Sequence, residues 1–218
     1  MEPENKNLLI KGAKTFGIHL DERAVEAFDL YLRELTKWNQ KINLTAIRSE
    51  KGIVIKHFLD SLSVYPYLPI PSSLLDIGSG AGFPGIPLKM VQSFLQVTLI
   101  DSVRKKVDFQ RHITRLLSLK GIEAIHGRVQ DRHALQSLAG RFDIVISRAF
   151  SDLRTLLTLS FPFLKQDGIL LAMKTKVNRE EIQLLCQTEE TRFRLQETVS
   201  FSLPFSSFKR TILLFGKE

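Results

Sequence analysis

The chain has 218 residues, 44% of them hydrophobic, enough for one good-sized core with a small appendage. Its single cysteine, Cys186, excludes a disulfide framework and a cysteine-cluster metal site, and no apolar run approaches the roughly 20 residues that span a bilayer. The net charge of +8 and the pI near 9.7 are high for an enzyme of small neutral metabolites and point to a polyanion, with nucleic acid the leading candidate.

From the N-terminus, residues 5–16 read as a helix stopped by Gly17. Asp21 caps a second helix that runs to about residue 40, with Val25, Phe28, Leu32, Leu35 and Trp38 on one stripe at helical spacing. Asn39, Asn43 and Thr45 close that helix. A third helical stretch covers about 51–67 and ends at Pro66, Pro69 and Pro71. Within it His57, Asp60 and Ser61 share a face at i, i+3, i+4. They suit an acid–base pair beside a cofactor or an interhelical hydrogen-bond network, and the network is the preferred reading. A metal would need two further ligands, and none stands at suitable spacing. The first six residues lack the basic-then-apolar pattern of a secretory leader, so the expected setting is cytoplasmic and the Asn43-Leu44-Thr45 sequon is empty.

Beyond residue 70 short apolar runs recur at 74–77, 96–100, 122–126, 142–146, 169–173, 193–200 and 208–215. Helical segments separate the first six at 85–93, 103–119, 151–163 and 178–189, while 128–140 fits helix or loop. Strands alternating with helices predict a parallel sheet covered on both faces. Only Leu203-Pro204-Phe205-Ser206 joins the last two runs, too little for a crossover helix, so they pair antiparallel. The fold class expected is α/β: a doubly wound, mostly parallel seven-stranded sheet of the class I methyltransferase type, with an antiparallel C-terminal hairpin. The expected division is a helical cap over 1–70 packed on a methyltransferase domain over 71–218.

The stretch 74–88, Leu-Leu-Asp-Ile-Gly-Ser-Gly-Ala-Gly-Phe-Pro-Gly-Ile-Pro-Leu, carries the chemistry. A strand with one acid, Asp76, breaks into Gly78, Gly80 and Gly82 and then into a proline-started helix, so free backbone N–H groups face whatever lies above the strand end. From Gly80 it fits the dinucleotide pattern G-x-G-x-x-G; from Asp76 it fits acid-x-G-x-G-x-G of S-adenosylmethionine-dependent methyltransferases. A carboxylate at Asp76 suits a cationic amino-acid cofactor and would repel a pyrophosphate, which favours the methyltransferase frame. Asp101 closes the next apolar run and can accept ribose hydroxyls in either frame.

The residue inventory narrows the reaction. Methylating a pyrimidine carbon takes a cysteine nucleophile, and Cys186 reads as a small buried hydrophobe on a C-terminal helix. Methylating an exocyclic amine usually uses an Asn/Asp-Pro-Pro-aromatic motif after the fourth strand, where this chain has Ser147-Arg148-Ala149-Phe150. Guanine N7 needs neither device: it offers a lone pair and carries no proton. Arg148, directly after a strand, is read as lining the site and positioning substrate or cofactor rather than as a structural ion pair. Phe83 and Phe150 are candidates to stack on adenine or the target base, although with 15 phenylalanines a core role is the commoner fate of each. Arg104, Lys105, Lys106, Arg128 and Lys174 follow predicted strands on the cofactor side and are the candidate RNA-binding residues. Cations are unfavourable at a helix N-terminus, so the run at 104–106 makes more sense for phosphate than for helix stability.

Trp38-Asn39-x-Lys41-Ile42-Asn43-Leu44-Thr45, His57-x-x-Asp60-Ser61, Gly82-Phe83-Pro84-Gly85-Ile86-Pro87, Asp101-Ser102 and Ser147-Arg148-Ala149-Phe150 together resemble the bacterial 16S ribosomal RNA 7-methylguanosine methyltransferases, the glucose-inhibited division protein B family. The resemblance runs from about residue 30 to 176. It implies S-adenosylmethionine as donor and a guanine near the decoding site of 16S ribosomal RNA as acceptor, on free RNA or within the small ribosomal subunit. It also implies cofactor contacts at Gly78, Phe83, Val129, Gln130 and Arg148. Many family members carry Glu where this chain has Gln130, and an amide there still hydrogen-bonds an adenine edge. A monomer with no membrane partner is expected. The competing readings are a methyltransferase for another RNA base, a protein or a small molecule, and an RNA-binding module without turnover.

Overall fold

In the computed structural model, which describes residues 1–148, 152–175 and 192–218 (backbone only at 133–135), two helices open the chain, α1 (Pro3–Lys14) and α2 (Glu22–Asn39). Gly17 takes φ +77 just past α1, with nothing within 4 Å of a would-be Cβ, so conformation and not space selects glycine there. Asp21 Oδ1 accepts from Ala24 N at 2.7 Å and caps α2. The stripe foreseen on α2 is buried from Val25 through Leu35, and Tyr31 joins it, while Trp38 packs against it partly exposed.

The third helical stretch is less regular than its sequence suggests. It consists of α3 (Glu50–Ile53), a π-helical turn at Val54–Leu59, α4 (Asp60–Leu62) and a 3-10 turn at Tyr65–Tyr67. Ser61 Oγ donates to the His57 carbonyl at 2.6 Å and Ser63 Oγ to the Asp60 carbonyl at 2.6 Å, so hydroxyls compete for the carbonyls of the ladder there. π-Turns of this kind commonly mark functional positions.

The remaining elements are β1 (Ser73–Ile77), α5 (Gly85–Val91), β2 (Gln96–Asp101), α6 (Arg104–Leu116), β3 (Ile122–His126), α7 (Arg132–Leu138), β4 (Phe142–Ser147), α8 (Leu153–Ser160), β5 (Leu164–Lys174), β6 (Phe193–Ser202) and β7 (Lys209–Lys217). The strands form one sheet in the order β3-β2-β1-β4-β5-β7-β6, parallel except for β7, which is antiparallel to both neighbours. The predicted class and hairpin are therefore present. The segment left open as helix or loop contains α7. β5 begins at Leu164, five residues ahead of its apolar run; the register slips between Phe142↔Leu164 and Ile144↔Ile169, and the polar 165–167 in that irregular part are exposed. The helix expected over 178–189, with Cys186, lies outside the described residues, as do Ala149 and Phe150.

Both faces of the central strands are buried, with a period of two. Leu74, Leu99 and Ile146 join a core that also takes in Leu9, Phe28 and Phe58 of the N-terminal helices. Leu75, Ile100 and Val145 pack on the other side with Leu156, Phe163 and Phe215. The N-terminal helices thus share a core with one face of the sheet, and Asp76 points to that face. Among the described residues no helix is long and apolar enough to cross a membrane.

Candidate functional site

Parallel sheets bind ligands at the carboxyl ends of their strands, where the order reverses, here between β1 and β4. The loop after β1 enters this edge with φ +69 at Gly78 and +60 at Gly80. Gly78 N donates to the Ile100 carbonyl at 2.9 Å, which ties the loop to the end of β2. Asp101, 6% exposed, fixes it further: Oδ2 accepts from Gly80 N at 2.9 Å and Oδ1 from Val103 N at 2.8 Å. Each oxygen keeps a second lone pair for a ligand. Gln110 on α6 clamps the same loop, donating to Ser79 Oγ at 2.8 Å and to the Gly80 carbonyl at 2.7 Å. A cleft of about 290 Å³ results, lined by Gly78, Asp101, Ser102, Arg128, Val129 and Gln130 among others.

Of the nine candidate cofactor residues, Gly78, Asp101, Val129 and Gln130 meet in this cleft, and Gly80 is hydrogen-bonded to one of its walls. Asp76 lies fully buried beneath the loop, where Oδ2 accepts from Gly85 N at 2.8 Å at the start of α5 and Oδ1 has no partner. A Cβ on Gly85 would sit 2.4 Å from Leu99 Cδ2 and 3.0 Å from Asp76 Oδ2, so that glycine serves the approach of α5 to the sheet.

Gly82, Phe83 and Arg148 are not among the residues that line the cleft. A Cβ on Gly82 would fall 2.3 Å from Ile86 Cδ1 and 2.9 Å from the Tyr31 hydroxyl, which itself donates to the Ala81 carbonyl at 2.6 Å. Phe83 is 3% exposed and stacks between Tyr31 (centroids 5.4 Å apart) and His57 (4.5 Å). Arg148 is held in a structural ion pair: Nη1 lies 3.3 Å from Asp60 Oδ2 and donates to the Lys56 carbonyl at 3.1 Å, while Nη2 lies 3.1 Å from His57 Nδ1. Arg210 on β7 completes the cluster, with Nε 2.8 Å from Asp60 Oδ1.

His57 is the hub of that cluster. A guanidinium only donates, so Nδ1 must be the acceptor and the ring proton sits on Nε2, where it is given to Thr45 Oγ1 at 2.7 Å. Asn39 builds the loop that carries Thr45: its Oδ1 accepts from Leu44 N and Thr45 N, both at 2.9 Å. Thr45, His57 and Phe83 thus connect this loop to the glycine turn. Two polar residues of the edge escaped sequence reasoning. Gln110 had a signal, since it interrupts the apolar stripe of Val107 and Ile113; Arg210, near the start of β7, had none.

Some cationic side chains of these patches are engaged in packing. Arg111 donates twice to the Ala124 carbonyl and His112 pairs with Glu34 at 2.7 Å, so both serve packing. Arg104 and Lys105 are exposed and Lys106 half-buried at the start of α6; Arg128 is exposed at the cleft, and Lys174 is half-buried at the end of β5.

Burial raises the carboxyl of Asp76 to about 7, and burial with the nearby Arg148 and Arg210 lowers His57 to about 3. The raised acid contributes stability below its ordinary 3.8 and loses it as pH rises through about 7; the depressed histidine contributes above 6.5 and loses it as pH falls through about 3. These slopes oppose each other between about pH 4 and 6.5. Urea titrations of Asp76→Asn should therefore show stability rising with pH in that window, and those of His57→Gln should show it falling. Identical slopes in both variants would mean that neither group is held neutral.

The glycine turn after β1, the acid closing β2 and the reversed β7 define a class I methyltransferase fold. A SAM-dependent methyltransferase from Aquifex aeolicus shares it at 18% identity (77% of this chain, 93% of that chain, TM-score 0.57). So does an M. jannaschii protein solved in complex with AdoMet, at 17% identity (67% and 68%, TM-score 0.51). The profile described as rRNA small subunit methyltransferase G matches residues 24–212, and the protein of that name from Geotalea uraniireducens is 44% identical over 218 residues, covering 100% of this chain and 99% of its own length. The chain belongs to the rRNA small subunit methyltransferase G family.

Proposed function

We propose that this chain transfers the methyl group of S-adenosylmethionine to N7 of a guanine in 16S ribosomal RNA. The observation that carries the choice of acceptor is that Asp101, Asp60 and His57 at this edge are already engaged. Both oxygens of Asp101 hold loop N–H groups, Asp60 faces two arginines, and both ring nitrogens of His57 are in hydrogen bonds. Among the described residues lining the cleft there is no cysteine or histidine, and Asp101 is the one carboxylate. An acceptor that must lose a proton or be attacked by a nucleophile is poorly served here. Guanine N7 asks only for alignment, which can supply much of a transfer rate.

The residues present fit the donor. Buried Asp76 Oδ1 lacks a hydrogen-bond partner, and the ammonium of an amino-acid cofactor would supply one and draw this carboxyl into its charged form. Gly78 brings bare backbone to the cleft, Asp101 has lone pairs left for ribose hydroxyls, and Val129 with Gln130 offers an apolar and an amide contact for adenine. When bound, S-adenosylmethionine supplies an electrophilic sulfonium methyl. The chain's part is to fix the loop through Asp101 and Gln110 and to hold the RNA.

Arg104, Lys105 and Arg128 give that hold, exposed at the same edge. Lys105→Ala with Lys106→Ala should leave S-adenosylhomocysteine affinity intact, raise the KM for RNA, and make the salt dependence of RNA binding shallower by roughly 1–2 in log–log slope. An unchanged slope would make these lysines merely solvated. The function itself is tested by incubating the protein with methyl-labelled donor and free 16S RNA or assembled small subunits. Label in RNA with either substrate is expected; label on protein alone, or none, would overturn the proposal.

A further inference from the structure

We infer that the tip of the β6–β7 hairpin is a stacking platform for an unpaired RNA base, an inference that rests on the proposed RNA substrate. The tip, Leu203-Pro204-Phe205-Ser206-Ser207-Phe208, exposes two large aromatics, Phe205 at 55% and Phe208 at 40%. It is an ordered turn. Leu203 is buried and its N–H donates to the Phe208 carbonyl at 2.9 Å, while Ser206 bonds the Leu203 carbonyl through both N (3.1 Å) and Oγ (3.0 Å). Phe205 adopts φ +60, a conformation that is costly for a side-chain-bearing residue and that persists where surrounding structure enforces it. Strain is thus accepted to hold an aromatic ring in water.

The tip lies on the active edge. Lys174, the last residue of β5, pairs with Thr211, so 203–208 project beyond the carboxyl end of the sheet. Lys56 Nζ sits 3.9 Å from the Phe208 ring centroid, and the Lys56 carbonyl accepts from Arg148. Arg210, two residues past Phe208, shares Asp60 with Arg148. The charge along the tip favours a polyanion: no acid occurs between Glu197 and Glu218, Lys56 lies over the Phe208 ring, and exposed Lys209 follows it in the chain. Exposed aromatics interleaved with cations match single-stranded nucleic acid, whose bases stack while its phosphates are neutralised.

The test measures binding without turnover, using a short single-stranded oligoribonucleotide of mixed sequence and its duplex form. Phe205→Ala and Phe208→Ala should each weaken the single strand about 5- to 150-fold, the range for one stacked base. Duplex and S-adenosylhomocysteine affinities should stay within about twofold, and Phe205→Tyr should bind the single strand like the unmodified chain. An alanine variant with unchanged single-strand affinity, in a chain that still methylates RNA, would overturn this inference alone. Equal losses for single strand and duplex would also overturn it, as would self-association lost in the variants with RNA affinity retained. No RNA binding by the unmodified chain would overturn it together with the proposed substrate.

Discussion

Replacing Asp60 with alanine is expected to cost about 3–5 kcal/mol of folding stability, the range for removing one partner of a buried ion pair. Asp60 is 1% exposed and faces Arg148 at 3.3 Å and Arg210 at 2.8 Å, while the arginine side chains are only 23% and 14% exposed. Without it two poorly hydrated cations face each other across the edge of the sheet. The loss reaches the glycine loop, because Arg148 also holds the neutral His57 that stacks on Phe83. Asp60→Asn keeps the shape and one acceptor, and should fall between. Urea denaturation measures both; a midpoint for Asp60→Ala equal to that of the unmodified chain would show that water serves the arginines equally well.

Asp101→Ala should weaken S-adenosylhomocysteine about 10- to 150-fold, corresponding to roughly 1.5–3 kcal/mol for hydrogen bonds to a charged acceptor. The carboxylate does two jobs: it offers lone pairs to the cleft and holds Gly80 N and Val103 N. Asp101→Asn keeps one acceptor oxygen and should recover part of the affinity. Calorimetry separates the cases, with thermal melts confirming the fold. Full affinity in Asp101→Ala would place the nucleoside elsewhere.

The sheet was legible because its signals are local and redundant. Each strand contains a short apolar or alternating run, and the link between β6 and β7, 203–208, is too short for a crossover helix. What sequence could not show is how shared polar groups are divided. Arg148 stands directly after a strand, where arginines meet ligands, yet its partners His57 and Asp60 are 91 and 88 positions away and no periodicity announces them. The glycines divide likewise: Gly78 lines the cleft and Gly80 is bonded to its wall, whereas a Cβ on Gly82 or Gly85 would clash with packed side chains. The early start of β5 was hidden because the exposed 165–167 are polar, and the π-turn because its residues are ordinary helix formers placed beside two competing serines.

The most direct measurement takes 16S RNA labelled by this chain with methyl-labelled S-adenosylmethionine, digests it to nucleosides and compares their elution with standards. Label co-eluting with 7-methylguanosine, abolished or reduced in Asp101→Ala, is the expected result. Label eluting with a base-methylated pyrimidine, an N-methylated exocyclic amine or a ribose-methylated nucleoside would contradict the assignment of an acceptor that needs neither base nor nucleophile.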